Sequence, residues 1–294
     1  MSKRRRSGAA AGPGEKSREK VRDIYVPRPF AGLTDEPDWV ALRELVPAAT
    51  VPLALSEKAR AEYGEHQITL ATVLPLAWPG LVKPDGRIFL GLQRSTQSGD
   101  ISRDIALTLL LAFSTEPGGP VQMPPLPGPG PRLQDLLSDE PLAVTIQDGF
   151  DFWLDEQSTD PEVTTSLERA NASVFPTVRL SAAKAAYWCR FPEKAHVRWV
   201  LGDDEDAALA GLARLARAGE LTLGAQTRFA GMFRAHGLLV PVWDLPPETE
   251  AQAWEEPVAA FAERYATARD AGTALDAEER RARAGLLGRQ VSLR

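Results

Sequence analysis

The chain is poor in the residues from which most recognisable active sites are assembled. One cysteine, Cys189, and three histidines, His66, His196 and His236, serve 294 residues. A lone cysteine excludes an intrachain disulfide framework and a cysteine-cluster zinc site. The histidines form no H-x-x-x-H or H-E-x-x-H pattern, so no metal site is expected. Glycine-rich phosphate loops, G-x-S-x-G elbows and persuasive Ser-x-x-Lys pairs are missing as well. No cofactor is expected. Cys189 sits in Tyr187-Trp188-Cys189-Arg190, a strand-like run in which a thiol reads as a small buried hydrophobe and Arg190 points to the opposite face.

Long apolar runs are also lacking. The longest, from Ile105 to Phe113, is about half of the roughly 18 residues needed to cross a bilayer. Lys3, Arg4, Arg5 and Arg6 imitate the charged start of a signal peptide. A Gly-Ala-Ala-Ala-Gly-Pro run follows where its apolar segment should be. The expected compartment is the cytoplasm, without membrane contact.

What is present begins with charge. The net charge of −6 is unevenly spread: residues 1–23 hold eight basic and three acidic side chains, a surplus of five, which leaves −11 on the remainder. A Gly-, Ala- and Ser-rich arm of this kind buries too little surface to fold by itself. It reads either as a solvated tail or, through Lys3, Arg4, Arg5 and Arg6, as a contact for RNA, the ribosome or another polyanion.

Ordered sequence is expected from Ile24, with Tyr25 and Phe30 as anchors for the extended stretch between them. Asp38 is a good cap for a helix that stops before Pro47. Strand patterns follow at 51–55, 68–76 and 87–92. Pro84-Asp85-Gly86 is a turn predicted to join the last two as an antiparallel hairpin. Asp100 is placed to cap a helix with Ile101, Ile105, Leu109 and Ala112 on its apolar face. Residues 115–131 are rich in Pro and Gly and read as a semi-rigid connector. A short helix at 132–137 and strands at 143–147 and 150–154 complete the first half.

The second half follows a similar order. A helix from Glu162 through Leu167 leads to strands at 177–180, 186–191 and 196–201. Asp203 or Asp204 then caps a helix that Gly219 stops, and strands at 228–235 and 238–243 flank His236-Gly237. Residues 48–56 align with 173–181, 87–90 with 197–200, and 149–154 with 237–243, which points to an internal duplication. Helices at 257–271 and 276–287 close the chain, the second with Thr273 as cap and Glu278, Glu279, Arg280, Arg281 and Arg283 set for pairing along its own face.

The reading is α+β: two similar halves of antiparallel strands with covering helices, plus C-terminal helices. The divisions are a basic arm at 1–23, a first half at 24–156, a second at 157–247 and a helical segment at 248–294. The candidate site is the polar loop at the start of the helix after Asp100. There Arg94, Ser98, Asp100 and Arg103 supply two guanidinium groups, a hydroxyl and a carboxylate. Two functions fit: a noncatalytic binding or adaptor protein that uses the arm, or an enzyme with an unrecognised site between Arg94 and Arg103.

Several long stretches resemble a known family. They are Asp38–Thr50, Ser98–Asp104, Ser166–Ala172, Phe233–Pro246, Glu279–Leu286 and Arg289–Val291. In this respect the chain is similar, over about residues 27–294, to an actinobacterial family known only as a domain of unknown function. The resemblance implies no activity, substrate or catalytic residue. Some relatives carry an N-terminal Cys/His zinc motif like the one ending the secretion motor ATPase. The arm here has neither residue, so that property does not transfer.

Overall fold

The computed structural model describes residues 21–154 and 161–288. In chain order the elements are α1 (Glu36–Glu44), β1 (Ala49–Leu53), α2 (Glu57–Tyr63), β2 (Ile68–Val73), β3 (Gly80–Val82), β4 (Ile88–Gln93) and α3 (Ile101–Ala112). Then come β5 (Gly119–Pro120), α4 (Leu133–Leu136), β6 (Thr145–Ile146), α5 (Pro161–Asn171), β7 (Thr177–Arg179), β8 (Ala186–Phe191) and β9 (Lys194–Trp199). The chain continues through α6 (Glu205–Ala218), β10 (Arg228–Ala235), β11 (Leu238–Leu245), α7 (Glu255–Arg269) and α8 (Ala277–Leu287). The class is α+β.

The first sheet has six strands in the order β5-β3-β4-β2-β1-β6. Pro84-Asp85-Gly86 does make a hairpin, closed by the Gly86 amide on the Lys83 carbonyl at 2.9 Å, but its partners are β3 and β4. The expected antiparallel pairing of 68–76 with 87–92 is replaced by a parallel one between β2 and β4. The reason is the extra short strand: β3 reverses the chain once more before β4, so β4 returns in the direction of β2. The expected strand at 150–154 is instead a single 3₁₀ turn, Asp151–Trp153. Its start is held by the Phe150 amide on Asn171 Oδ1 at 2.8 Å, and the tilted rings of Phe150 and Trp153 pack 4.8 Å apart on the sheet's second face with Phe89 and Leu167.

The second sheet has five strands in the order β10-β11-β9-β8-β7, every pair antiparallel. Both of its faces are covered, which is why β11 reads Leu-Leu-Val-Pro-Val-Trp with little polar alternation. Ala186, Trp188, Val197, Trp199, Leu239 and Trp243 face α6 and α7, where the Trp243 and Phe261 rings meet edge-on at 4.9 Å. Tyr187, Val200, Phe233, Leu238, Val240 and Val242 face the other way and share a core with Trp39, Val40 and Leu42 of α1 and with β1, β2 and β4. The hydrophobic core therefore runs without a break from one sheet to the other, with α1 between them.

Polar pins reinforce that junction. Asp38 is fully buried and accepts Arg179 Nη2 and the Tyr187 hydroxyl, each at 2.8 Å. Arg28 grips Glu36 at 2.6 and 2.8 Å, and Lys184 pairs with Asp35. A buried charge needs this density of partners to offset its desolvation.

The halves do not repeat one another in connectivity. The first sheet contains a parallel pair and the second does not, and the proposed counterpart of β11 is the 3₁₀ turn at 151–153. Of the expected N-terminal anchors, Phe30 is fully buried against Trp39 and His236, whereas Tyr25 is 77% exposed and anchors nothing. Asp204 caps α6 and Gly219, at φ 75°, ends it. Asp276, not Thr273, caps α8, because it also completes a capping box with Glu279. The charges of α8 reach across to α6 instead of along their own helix: Arg217 meets Glu278, and Arg283 meets Asp206 at 2.6 Å.

Candidate binding groove

The loop before α3 folds inward around a buried carboxylate. Asp104 accepts the Ser98 amide at 2.7 Å and the Ser98 hydroxyl at 2.9 Å. Asp100 caps the helix through the Arg103 amide at 3.2 Å, and its other oxygen meets Arg132 Nε at 2.9 Å. A capping acid already satisfies the positive end of α3, so that helix start is not a vacant anion site.

Arg103 has a different task. Its guanidinium donates to the carbonyl oxygens of Gly128 at 3.1 Å, Pro131 at 3.2 Å, and Pro127 and Pro129 at 3.3 Å. Prolines have no N–H, so a Pro/Gly run presents carbonyls without internal donors. One arginine fork supplies what the run lacks, and the connector at 115–131 is thereby tied to α3. Burial lowers the Arg103 pKa, while Asp104 and Asp100 pull it back up.

The N-terminal segment closes the third side. The Gly99 amide donates to Asp23 Oδ1 at 2.7 Å, and the Val26 amide donates to the Gly99 carbonyl at 2.8 Å. The approach is close enough that a Cβ on Gly99 would sit 2.6 Å from the Ile24 carbonyl oxygen. Only glycine admits the crossing. The result is a groove of about 1310 Å³ between residues 21–24, the 98–103 loop and the 127–132 run, with Arg22, Ser98, Asp100, Arg103 and Arg132 in its walls.

Ser98, Asp100 and Arg103 therefore come together, while Arg94 faces a separate cleft beside Arg43. The basic arm's Lys3, Arg4, Arg5 and Arg6 lie outside the described residues. Sequence reasoning missed Arg132 and the role of the Pro/Gly run. The donor-poor run itself was a signal, because so many unpaired carbonyls demand a donor from elsewhere.

The remaining reactive side chains are held in the scaffold. Cys189 is buried, and burial pushes its thiol up to about 11. His66 stacks on Phe113 at 4.4 Å. His196 Nδ1 lies 3.1 Å from Asp244, with its pKa lowered by burial. His236 Nε2 meets Glu44 at 2.7 Å. Among the described residues no group of three or more His, Cys, Asp or Glu side chains is placed to hold a metal ion, and no helix is long and apolar enough to cross a membrane.

Comparison with known families places the chain. A family model described as a family of unknown function, DUF5926, matches residues 29–294, and the chain belongs to that family. Neither the comparison with curated proteins nor that with solved structures returned a match.

Proposed function

We propose that this protein is a noncatalytic cytoplasmic binding protein that docks a polyanion such as RNA through its basic arm and the groove where that arm joins the body. The observation that carries this reading is the stitching of Asp23 and Val26 onto Gly99, which brings the chain out of the arm along the groove wall. Arg22, Arg103 and Arg132 line that groove with Asp23 and Asp100, so its wall adds a net single positive charge to those of Lys3, Arg4, Arg5 and Arg6. The acidic remainder repels a nucleic acid elsewhere and confines contact to this end.

The test replaces Lys3, Arg4, Arg5 and Arg6 by Gln in the full chain and measures RNA affinity as a function of salt. For every phosphate that the substituted arm no longer neutralises, the slope of log K against log salt should flatten by about 0.7 for a single strand. Equal affinity and slope in both proteins would sink the proposal.

A further inference from the structure

We propose a second, separate site: the cleft between the C-terminal end of α1 and the 93–97 loop binds a small oxyanion, a phosphate or carboxylate group, between Arg43 and Arg94. The cleft has a volume of about 360 Å³, and all six residues in its wall are polar: Arg43, Glu44, Gln93, Arg94, Ser95 and Gln97.

Two guanidinium groups share it with one carboxylate in the wall, Glu44, and a second, Asp104, acting through space. Arg94 Nη1 donates to the Thr108 hydroxyl at 3.2 Å and Nη2 reaches the Gly91 carbonyl at 3.5 Å; both partners are neutral. Its Nε–H is buried with no hydrogen-bond partner. Arg43 donates to the Leu92 carbonyl and to Gln97 Oε1, again neutral oxygens. Glu44 lies 3.5 Å from its Nε, and the same Glu44 oxygen meets His236 at 2.7 Å.

Burying charge beside like charge is unfavourable unless a counterion completes the arrangement. Asp104 offsets part of that charge through space while accepting from Ser98, but among the described residues no carboxylate hydrogen-bonds Arg94. Burial and the proximity of Arg43 depress the Arg94 pKa to about 10, despite Asp104, so the group stays charged at neutral pH. A planar fork with unused donors, next to a second fork, matches the oxygens of a phosphate or carboxylate. Gln93 holds the framework by donating to the Arg43 carbonyl at 2.9 Å. The exposed Gln97 holds the position an anion would take, since its amide oxygen accepts from Arg43 where an anion's oxygen would replace it.

Calorimetric titration of the full chain with inorganic phosphate, and separately with acetate, tests the site and distinguishes the two chemistries. The expected result is one equivalent bound by at least one of these anions, retained when Lys3, Arg4, Arg5 and Arg6 are Gln, and weakened about tenfold or more by Gln97→Glu. Gln97 is on the surface, and a glutamate there can still accept from Arg43, so the variant should fold while placing a tethered carboxylate in the anion's position. Binding of neither anion, binding unchanged by Gln97→Glu, or binding abolished with the arm's charges would overturn the proposal. Because the arm's charge is varied independently, failure here is distinct from failure of the RNA-binding reading.

Discussion

The sheet formed by β1–β6 and the sheet formed by β7–β11 solve the same packing problem with different materials. In the second, Trp188, Trp199, Trp243 and Trp254 join one cluster under α6 and α7, and its strands run three to eight residues in antiparallel pairs, with one bulge between Phe229 and Gly231. The first is built of shorter pieces, two of its strands being only two residues long. Polar stitches secure its loops: Arg103 to the Pro/Gly run, Lys83 Nζ to the Trp153 carbonyl at 2.6 Å, and Trp153 Nε1 to the Val73 carbonyl at 2.9 Å. Aromatic area gives the larger and less directional stabilisation. Stitching with hydrogen bonds gives less energy but fixes where a loop lies, and the groove is on the stitched side.

The strongest way to break this contrast is Trp243→Ala. The ring is fully buried, and its Nε1 donates to the Leu221 carbonyl at 2.7 Å. A loss of about 3–5 kcal/mol is expected from urea denaturation. Since the core is continuous through α1, unfolding followed by far- and near-ultraviolet circular dichroism should remain one transition. Two separated transitions would show that the sheets unfold independently.

Arg103→Met should act more locally. About 2 kcal/mol is expected from removing the charge-assisted hydrogen bonds, with thermolysin nicking appearing around residues 121–131 in the native protein. A variant as resistant as the parent would mean that the Pro/Gly run holds its course without Arg103.

The smallest effect concerns the edge where α1 meets the β10–β11 turn. The hydrogen bond from His236 holds the Glu44 carboxyl below its ordinary range, against a desolvation penalty that raises it. A depressed folded-state value stabilises the fold fully above the unfolded value of about 4.3, and the benefit fades as pH falls through the folded value. Glu44→Gln should therefore lower Tm by an amount worth under about 1 kcal/mol near neutrality. The difference should shrink toward zero near pH 3. A difference independent of pH would assign the effect to packing instead.

Much of the element order was legible, and particular residues explain why. Asp100 and the pair Asp203-Asp204, of which Asp204 is the cap, announced their helices because a capping carboxylate is a local device needing only the next turn. His236-Gly237 marked its hairpin for a related reason: both residues adopt positive φ, the conformation a two-residue turn requires. The polar loop before α3 was likewise visible as a place where Ser98, Asp100 and Arg103 gather.

In the first sheet, the pairing partners were not legible. Nothing within 68–93 states that three residues at Gly80–Val82 intercept the hairpin and turn β2 and β4 parallel, since strand pairing is decided between segments. Phe150–Leu154 carried a strand's composition but was claimed by Asn171 and the sheet face opposite.

By itself, then, the sequence determined the α+β class, the caps of α3 and α6 (though not that of α1, where Asp35 and not Asp38 stands at the cap, nor that of α8), the charge split between arm and body, and the scarcity of thiol and imidazole. These depend on composition or on residues within a turn of each other. Tertiary structure alone decided that Arg103 ties a proline run 24 to 28 residues away, that Asp23 crosses Gly99, and that Arg94 stands beside Arg43 instead of Arg103. The first two of those outcomes pair a donor with an acceptor distant in the chain, and all three bring together residues that become neighbours only when the core closes.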